Sequence, residues 1–125
     1  MIIILLLSYN AEAANAKFKV QFSVPPWLEL ANQVKSYGMR ELRSLHDVEI
    51  IDEDPNLSNY YISLYPLLLK TSTGTVIGVA VSYVFEKDGR IEHAVLTDAP
   101  DHLKFLVEKI IASFDTTWLE PKRHK

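Results

Sequence analysis

Apolar and polar residues alternate strictly from Lys17 to Val24, with Phe18, Val20, Phe22 and Val24 on one side and Lys17, Lys19, Gln21 and Ser23 on the other. This period of two predicts a half-buried strand. Pro25-Pro26 ends it, and Pro26 suits an early helical position where its missing N–H is harmless. The period then lengthens. Trp27, Leu30, Ala31, Val34, Leu42 and Leu45 recur at three- and four-residue spacing, which predicts an amphipathic helix to about Leu45, with Lys35, Arg40 and Arg43 on its wet side. Gly38 weakens that helix by about 1 kcal/mol relative to Ala, and points to a kink or a close packing contact.

Asp47 to Asp52 reads as a second strand with Val48 and Ile50 inward. After a turn at Asp54-Pro55-Asn56, residues Asn59 to Thr71 alternate through Tyr60, Ile62 and Leu64 until Pro66, which removes a ladder donor and so marks a bulge or an edge strand. Ser72-Thr73-Gly74-Thr75 reads as a hairpin tip, Val76 to Glu86 as a strand, and Lys87-Asp88-Gly89 as a tight turn, since Asp-Gly readily supplies positive φ. Arg90 to Thr97 is the last strand. Asp98 is placed to cap a final helix whose buried stripe is Leu103, Leu106, Val107, Ile110, Ile111 and Phe114. The order β-α-β-β-β-β-α predicts an α+β two-layer sandwich: a mixed five-stranded sheet with two helices on one face, its first two strands parallel.

The first residues carry a different pattern. Ile2 to Leu7 is a short apolar run, followed by small residues at alternate positions, Ala11 with Ala13 and Ala14 with Ala16. This resembles the hydrophobic and cleavage regions of an export signal, although no Lys or Arg precedes the run. The same run also suits a buried strand. The export reading divides the chain into residues 1–16 as signal and cleavage region, 17–119 as one α+β domain, and 120–125 as a basic tail, with the mature protein periplasmic or secreted. Six apolar residues are too few for a stable membrane anchor.

Composition narrows the function classes. The chain has 125 residues and no cysteine, so thiol chemistry, disulfides and Cys-type zinc sites are out. Its net charge of −3 gives no basic field of the kind that holds nucleic acid. At 48% hydrophobic residues with few Gly and Pro, it can build a single packed core.

The opening strand, helix and strand, closing in Glu41-Leu42-Arg43-Ser44-Leu45 and Val48-Glu49-Ile50-Ile51-Asp52, resemble the start of small extracytoplasmic bacterial domains such as the N-terminal domain of the Tol-Pal propeller protein. The resemblance covers about the first third of the chain. It implies a domain that binds other envelope proteins and transfers no functional residue.

Candidate chemistry is sparse. His93, taken to point inward with Ile91 and Val95, lies near Asp98, Asp101 and His102 where the last strand meets the last helix. Two His and two Asp at such a junction suit a metal-dependent or acid/base hydrolase, whereas a capping Asp and a core His are the plainer account. Asp52-Glu53-Asp54 lacks the ligand spacing of a calcium loop and reads as a solvated acidic turn. Ser72-Thr73-Gly74-Thr75 lacks the Lys of a phosphate loop. No resident cofactor is implied.

The face of the sheet away from the helices is less polar than expected. Lys17, Lys19, Gln21 and Glu49 fit a wet surface, but Ile51, Tyr61, Tyr65, Val76, Ala80, Val84, Ala94 and Leu96 are assigned to the same side. Either Trp118 and Leu119, or the N-terminus, fold across it, or it binds protein or its own copy, or the faces are wrongly assigned. The sequence therefore points to an exported, non-enzymatic interaction or assembly module that meets a protein partner or its own copy through Tyr61, Tyr65, Val76 and Val84.

Overall fold

The computed structural model describes residues 18–52 and 59–124. The predicted order of elements is realised: β1 (Phe18–Ser23), α1 (Ala31–Arg43), β2 (Val48–Ile51), β3 (Tyr60–Lys70), β4 (Val76–Lys87), β5 (Arg90–Asp98) and α2 (Leu103–Phe114). The five strands form one mixed sheet in the order β2-β1-β3-β4-β5. β1 runs parallel to both β2 and β3, and the remaining pairs are antiparallel. The helices cover the face carrying Val20, Ile62, Leu64, Val79, Val81 and Phe85, all fully buried with Leu106, Ile110 and Phe114 of α2.

Turn chemistry sets the register as the sequence implies. Asp88 and Gly89 both adopt positive φ, 52° and 84°, and bring Lys87 opposite Arg90. The other tip is closed by Thr71, whose carbonyl accepts from Gly74 N–H and whose amide donates to the Thr75 carbonyl. Gly74 has φ 89° there, a value that L side chains rarely adopt.

Several local readings need correction. Trp27 and Leu30 do not open the first helix. Leu30 takes a left-handed conformation at φ 70°, so residues 26–30 form a turn, α1 starts at Ala31, and Trp27 is largely exposed. Of the two readings of Gly38, the close packing contact is realised: it is buried within one uninterrupted helix, and a Cβ there would overlap the Phe22 ring. Pro66 is not in an edge strand as such, yet β1 pairs only with Tyr60–Ser63, so among the described residues β3 has β4 as its one neighbour at Pro66. The ladder irregularity comes later, between Leu69 and Lys70.

The chain end differs most from expectation. Beyond Phe114 the helix continues as a π-helical segment, Asp115–Leu119, and a last α-helical turn, Glu120–Arg123. The expected basic tail is therefore partly structural. Arg123 donates from Nε to Asp47 Oδ2 at 2.7 Å and from Nη2 to Asp47 Oδ1 at 2.9 Å, and also reaches Asp115 and Glu120. Trp118 and Leu119 are buried in the helix-side core, where Trp118 meets the rings of Phe85 and Phe114. Its indole N–H donates to Glu92 Oε1, and Glu92 Oε2 accepts from the Tyr83 hydroxyl.

Candidate interaction surface

The open face follows from the register. Tyr61 lies between Gln21 and Glu86; Ser63 between Ser23 and Val84; Tyr65 beside Ser82; Leu67 beside Ala80. On β5, Ile91, His93, Val95 and Thr97 complete these rows. Tyr65 is 42%, Leu67 60%, Ile91 64% and Val95 53% exposed, a concentration of apolar surface on a single sheet face. Tyr61 and Val84 are half-buried among them. Val76, assigned to the same patch, lies past the Leu69/Lys70 irregularity and is exposed beside the hairpin tip. The structure thus gathers Tyr61, Tyr65 and Val84 on one face and sets Val76 at its end.

Two residues expected here belong elsewhere. Ala94 stands opposite Tyr83 and Leu96 opposite Val81, so both turn toward the helices and pack against the core. Conversely His93, Ile91 and Val95, which the sequence reading sets inward, point to solvent on the open face. The signal was present in the sequence: a two-residue Asp88-Gly89 turn makes inward odd positions of β4 face even positions of β5.

Trp118 and Leu119 do not cover this face, because both are buried on the other side of the sheet. Residues 1–17, the other expected cover, lie outside the described residues. Polar groups on the face are partly paired: the Ser23 and Ser63 hydroxyls meet at 3.2 Å, and Ser82 Oγ meets His93 Nε2 at 2.9 Å. Gln21 Oε1, beside Tyr61, has no hydrogen-bond partner among the described residues.

The hydrolase candidates separate into two places. His93 sits on the open face with Ser82, whereas Asp98, Asp101 and His102 stay together at the end of β5. Asp98 does not cap the helix. Its Oδ1 accepts from the adjacent Ala99 N–H at 2.7 Å and meets His102 Nδ1 at 2.9 Å, and the Pro100–His102 turn has Ala99 as its N-cap. These bonds favour ionised Asp98, whose pKa is lowered by the Ala99 amide and then by His102. The same contact raises the pKa of His102, and Asp101 adds a weaker attraction at 4.0 Å. Both side chains of the pair are solvent-accessible. Among the described residues, no group of three or more His, Asp or Glu is arranged to hold a metal ion.

A shallow cleft of about 210 Å³ opens at the β4–β5 turn, lined by Tyr60, Lys87, Asp88, Arg90, Trp118 and Lys122. Arg90 stacks over the Trp118 ring at 4.1 Å and Lys87 over Tyr60 at 4.8 Å, so these two cations lie against the cleft's own aromatic walls. Its volume is below the several hundred Å³ usual for a small-molecule site. The Asp52-Glu53-Asp54 reading falls beyond the described residues after Asp52. The Ser72–Thr75 segment is the expected hairpin tip. No helix among the described residues is long and apolar enough to cross a membrane.

No family model matches this chain, and no curated protein matches it. Among solved structures, it is similar to an uncharacterised protein at 11% identity and TM-score 0.44, covering 79% of this chain and 86% of the other. A hypothetical protein from Chlamydia trachomatis aligns at 15% identity and TM-score 0.39, covering 81% and 85%. A ribosomal subunit interface protein from Coxiella burnetii aligns at 11% identity and TM-score 0.33, covering 80% and 100%.

Proposed function

We propose that this protein is an exported, non-enzymatic interaction or assembly module that binds protein through the open face of its sheet. The observation that carries the reading is the exposure of Tyr65, Leu67, Ile91 and Val95 on a face that neither helix nor the Trp118–Leu119 segment covers. Tyr61 and Tyr65 suit such a surface, since each joins an apolar ring to a polar tip and tolerates both wet and buried states. The Ile2 to Leu7 run and the small residues Ala11 and Ala13 support export. N-terminal sequencing of protein from its native cell should then find a chain beginning at Ala14, Asn15 or Lys17; an intact Met1 would remove the export claim.

Photo-crosslinking from the native cell tests the surface directly. A crosslinking residue at Tyr65 should capture a second polypeptide, and Tyr61→Glu or Val84→Glu should abolish that capture while leaving the thermal midpoint nearly unchanged. Equal yields from Tyr65 and from Lys35, an exposed position on the helix side, would sink the reading. The acid/base alternative is less well supported because His93 is separated from Asp98, Asp101 and His102.

A further inference from the structure

The outer edge of β5 is the longest complete strand edge left unpaired among the described residues. β2 ends the sheet on the other side with four residues, whereas β5 presents nine, Arg90–Asp98, with β4 as its sole neighbour among the described residues. Natural edges are commonly guarded by proline, lysine or a bulge. β5 contains neither residue and pairs with β4 without a register shift. Its inward mid-strand charge, Glu92, is engaged by Trp118 and Tyr83.

The turn determines which backbone groups face outward. A two-residue turn at Asp88-Gly89 directs the Arg90 N–H at the Lys87 carbonyl. By alternation, Arg90, Glu92, Ala94, Leu96 and Asp98 present their amides and carbonyls to β4. Those of Ile91, His93, Val95 and Thr97 therefore point off the edge, and Ile91 and Val95 are the exposed apolar side chains of the same strand.

The geometry points to a second copy of this chain as the occupant of that edge, with β5 antiparallel to β5 about a two-fold axis at Ala94. The inference rests on the proposed interaction role and specifies one partner for it. A two-fold axis perpendicular to the sheet keeps each residue on its own face, so opposed residues must share a face and the register moves in steps of two. Centring on Ala94 pairs all nine residues and sets Arg90 opposite the partner's Asp98 at both ends. Ile91 then faces the partner's Thr97, and His93 faces the partner's Val95. Centring on His93 pairs only Arg90 to Leu96, loses both charge matches and opposes two imidazoles. Overlap selects Ala94, and the charge match adds to it, with Arg90 reaching across from its stack on Trp118 and Asp98 from its Oδ1 contacts with Ala99 and His102. The product is a continuous ten-stranded sheet in which the two open faces become one surface, with Ile91 and Val95 of both copies near its seam.

The absence of native cysteine makes the register directly testable. A non-hydrogen-bonded antiparallel pair holds its Cα atoms about 4.5 Å apart, within disulfide reach. Mild oxidation of the Ala94→Cys chain should yield mostly covalent dimer, with little from His93→Cys or Leu96→Cys. Light scattering of the unmodified full chain at about 100 μM should report a dimer. Val95→Pro, which removes an outward amide, and Val95→Lys, which guards the edge and needs no backbone change, should each give a folded monomer. A monomeric unmodified chain, or preferential crosslinking through His93→Cys, would overturn this pairing. Val95 also lies on the open face, so its variants count for the edge when Tyr61→Glu and Val84→Glu, which lie off β5, leave the dimer intact; a dimer lost in those two variants as well would place the contact on the face and overturn the edge pairing.

Discussion

Arg123 closes on Asp47 across 76 residues of sequence, through two bonds of 2.7 and 2.9 Å. The pair ties the last helical turn to the loop that leads into β2, and so fastens the C-terminal segment over the β1 end of the core, where Arg123 also lies over the Phe18 ring at 5.6 Å. Both side chains are largely shielded, at 19% and 14% exposure. Removing Arg123 takes the guanidinium from both Asp47 and Asp115, with a cost of about 2–3 kcal/mol where a shielded pair is broken, whereas Arg123 without Asp47 keeps Asp115 and Glu120. Arg123→Ala should therefore lower stability by roughly that amount in a denaturant titration. A change under about 0.5 kcal/mol, the usual range for surface substitutions, would show that the terminal turn does not hold the fold.

The same pair makes stability depend on acid. Hydrogen bonds from Arg123 lower the Asp47 pKa below its ordinary 3.8, against an opposing effect of burial. A carboxyl group with a depressed folded pKa stabilises the protein above the unfolded value, and that contribution fades as pH falls through the folded one. Asp47→Asn should thus lower stability at pH 7 and flatten its decline below about pH 4. Parallel pH profiles for wild type and variant would contradict this.

Gly38 offers a test of packing against propensity. In an exposed helix, Gly to Ala stabilises by about 1 kcal/mol. Here a Cβ would meet the Phe22 ring across the helix–sheet interface, and overpacking of a filled core usually costs about 1–3 kcal/mol. Gly38→Ala should therefore destabilise, as measured by thermal unfolding, and the double variant Gly38→Ala with Phe22→Leu should recover part of the loss. A more stable Gly38→Ala chain would mean that the ring moves aside freely.

The fold was legible because its strongest signals are local. Strict alternation in β1, the Asp88-Gly89 turn and the apolar stripe of α2 each specify an element without help from the rest of the chain. The predicted first helix begins too early because Leu30, not Gly or Asn, takes the left-handed conformation, and no propensity rule anticipates that. Placement of Arg123 against Asp47 depends on contacts 76 residues apart, which spacing along the chain does not encode. His93 is different: its outward direction follows from counting back through the two-residue turn, so its face was available in the sequence. The open face is visible in the sequence because Tyr61, Tyr65 and Val84 break the polar half of the alternation, whereas Ile91 and Val95 join it only through the same count that turns His93 outward.

Asp98 and His102 make the last case, since the expected cap has become an ion pair at 2.9 Å. The carboxylate raises the His102 pKa above 6.5, first through the hydrogen bond and then through charge. The interaction is therefore fully present below the unfolded imidazole value and is lost as pH rises through the raised folded one. Both groups are solvent-accessible, so the effect on stability should be small and screened by salt. The measurable quantity is the titration itself. In an NMR pH series the His102 ring should titrate above 6.5 in the wild type, and Asp98→Asn should move it downward. Asp98→Ala should lose the Ala99 amide contact as well, with a stability change that depends little on pH above the His102 titration. A His102 titration unmoved by Asp98→Asn would show that Asp98 orients the Ala99 turn without pairing with the imidazole, leaving Asp101 as the nearest other carboxylate to His102 at 4.0 Å.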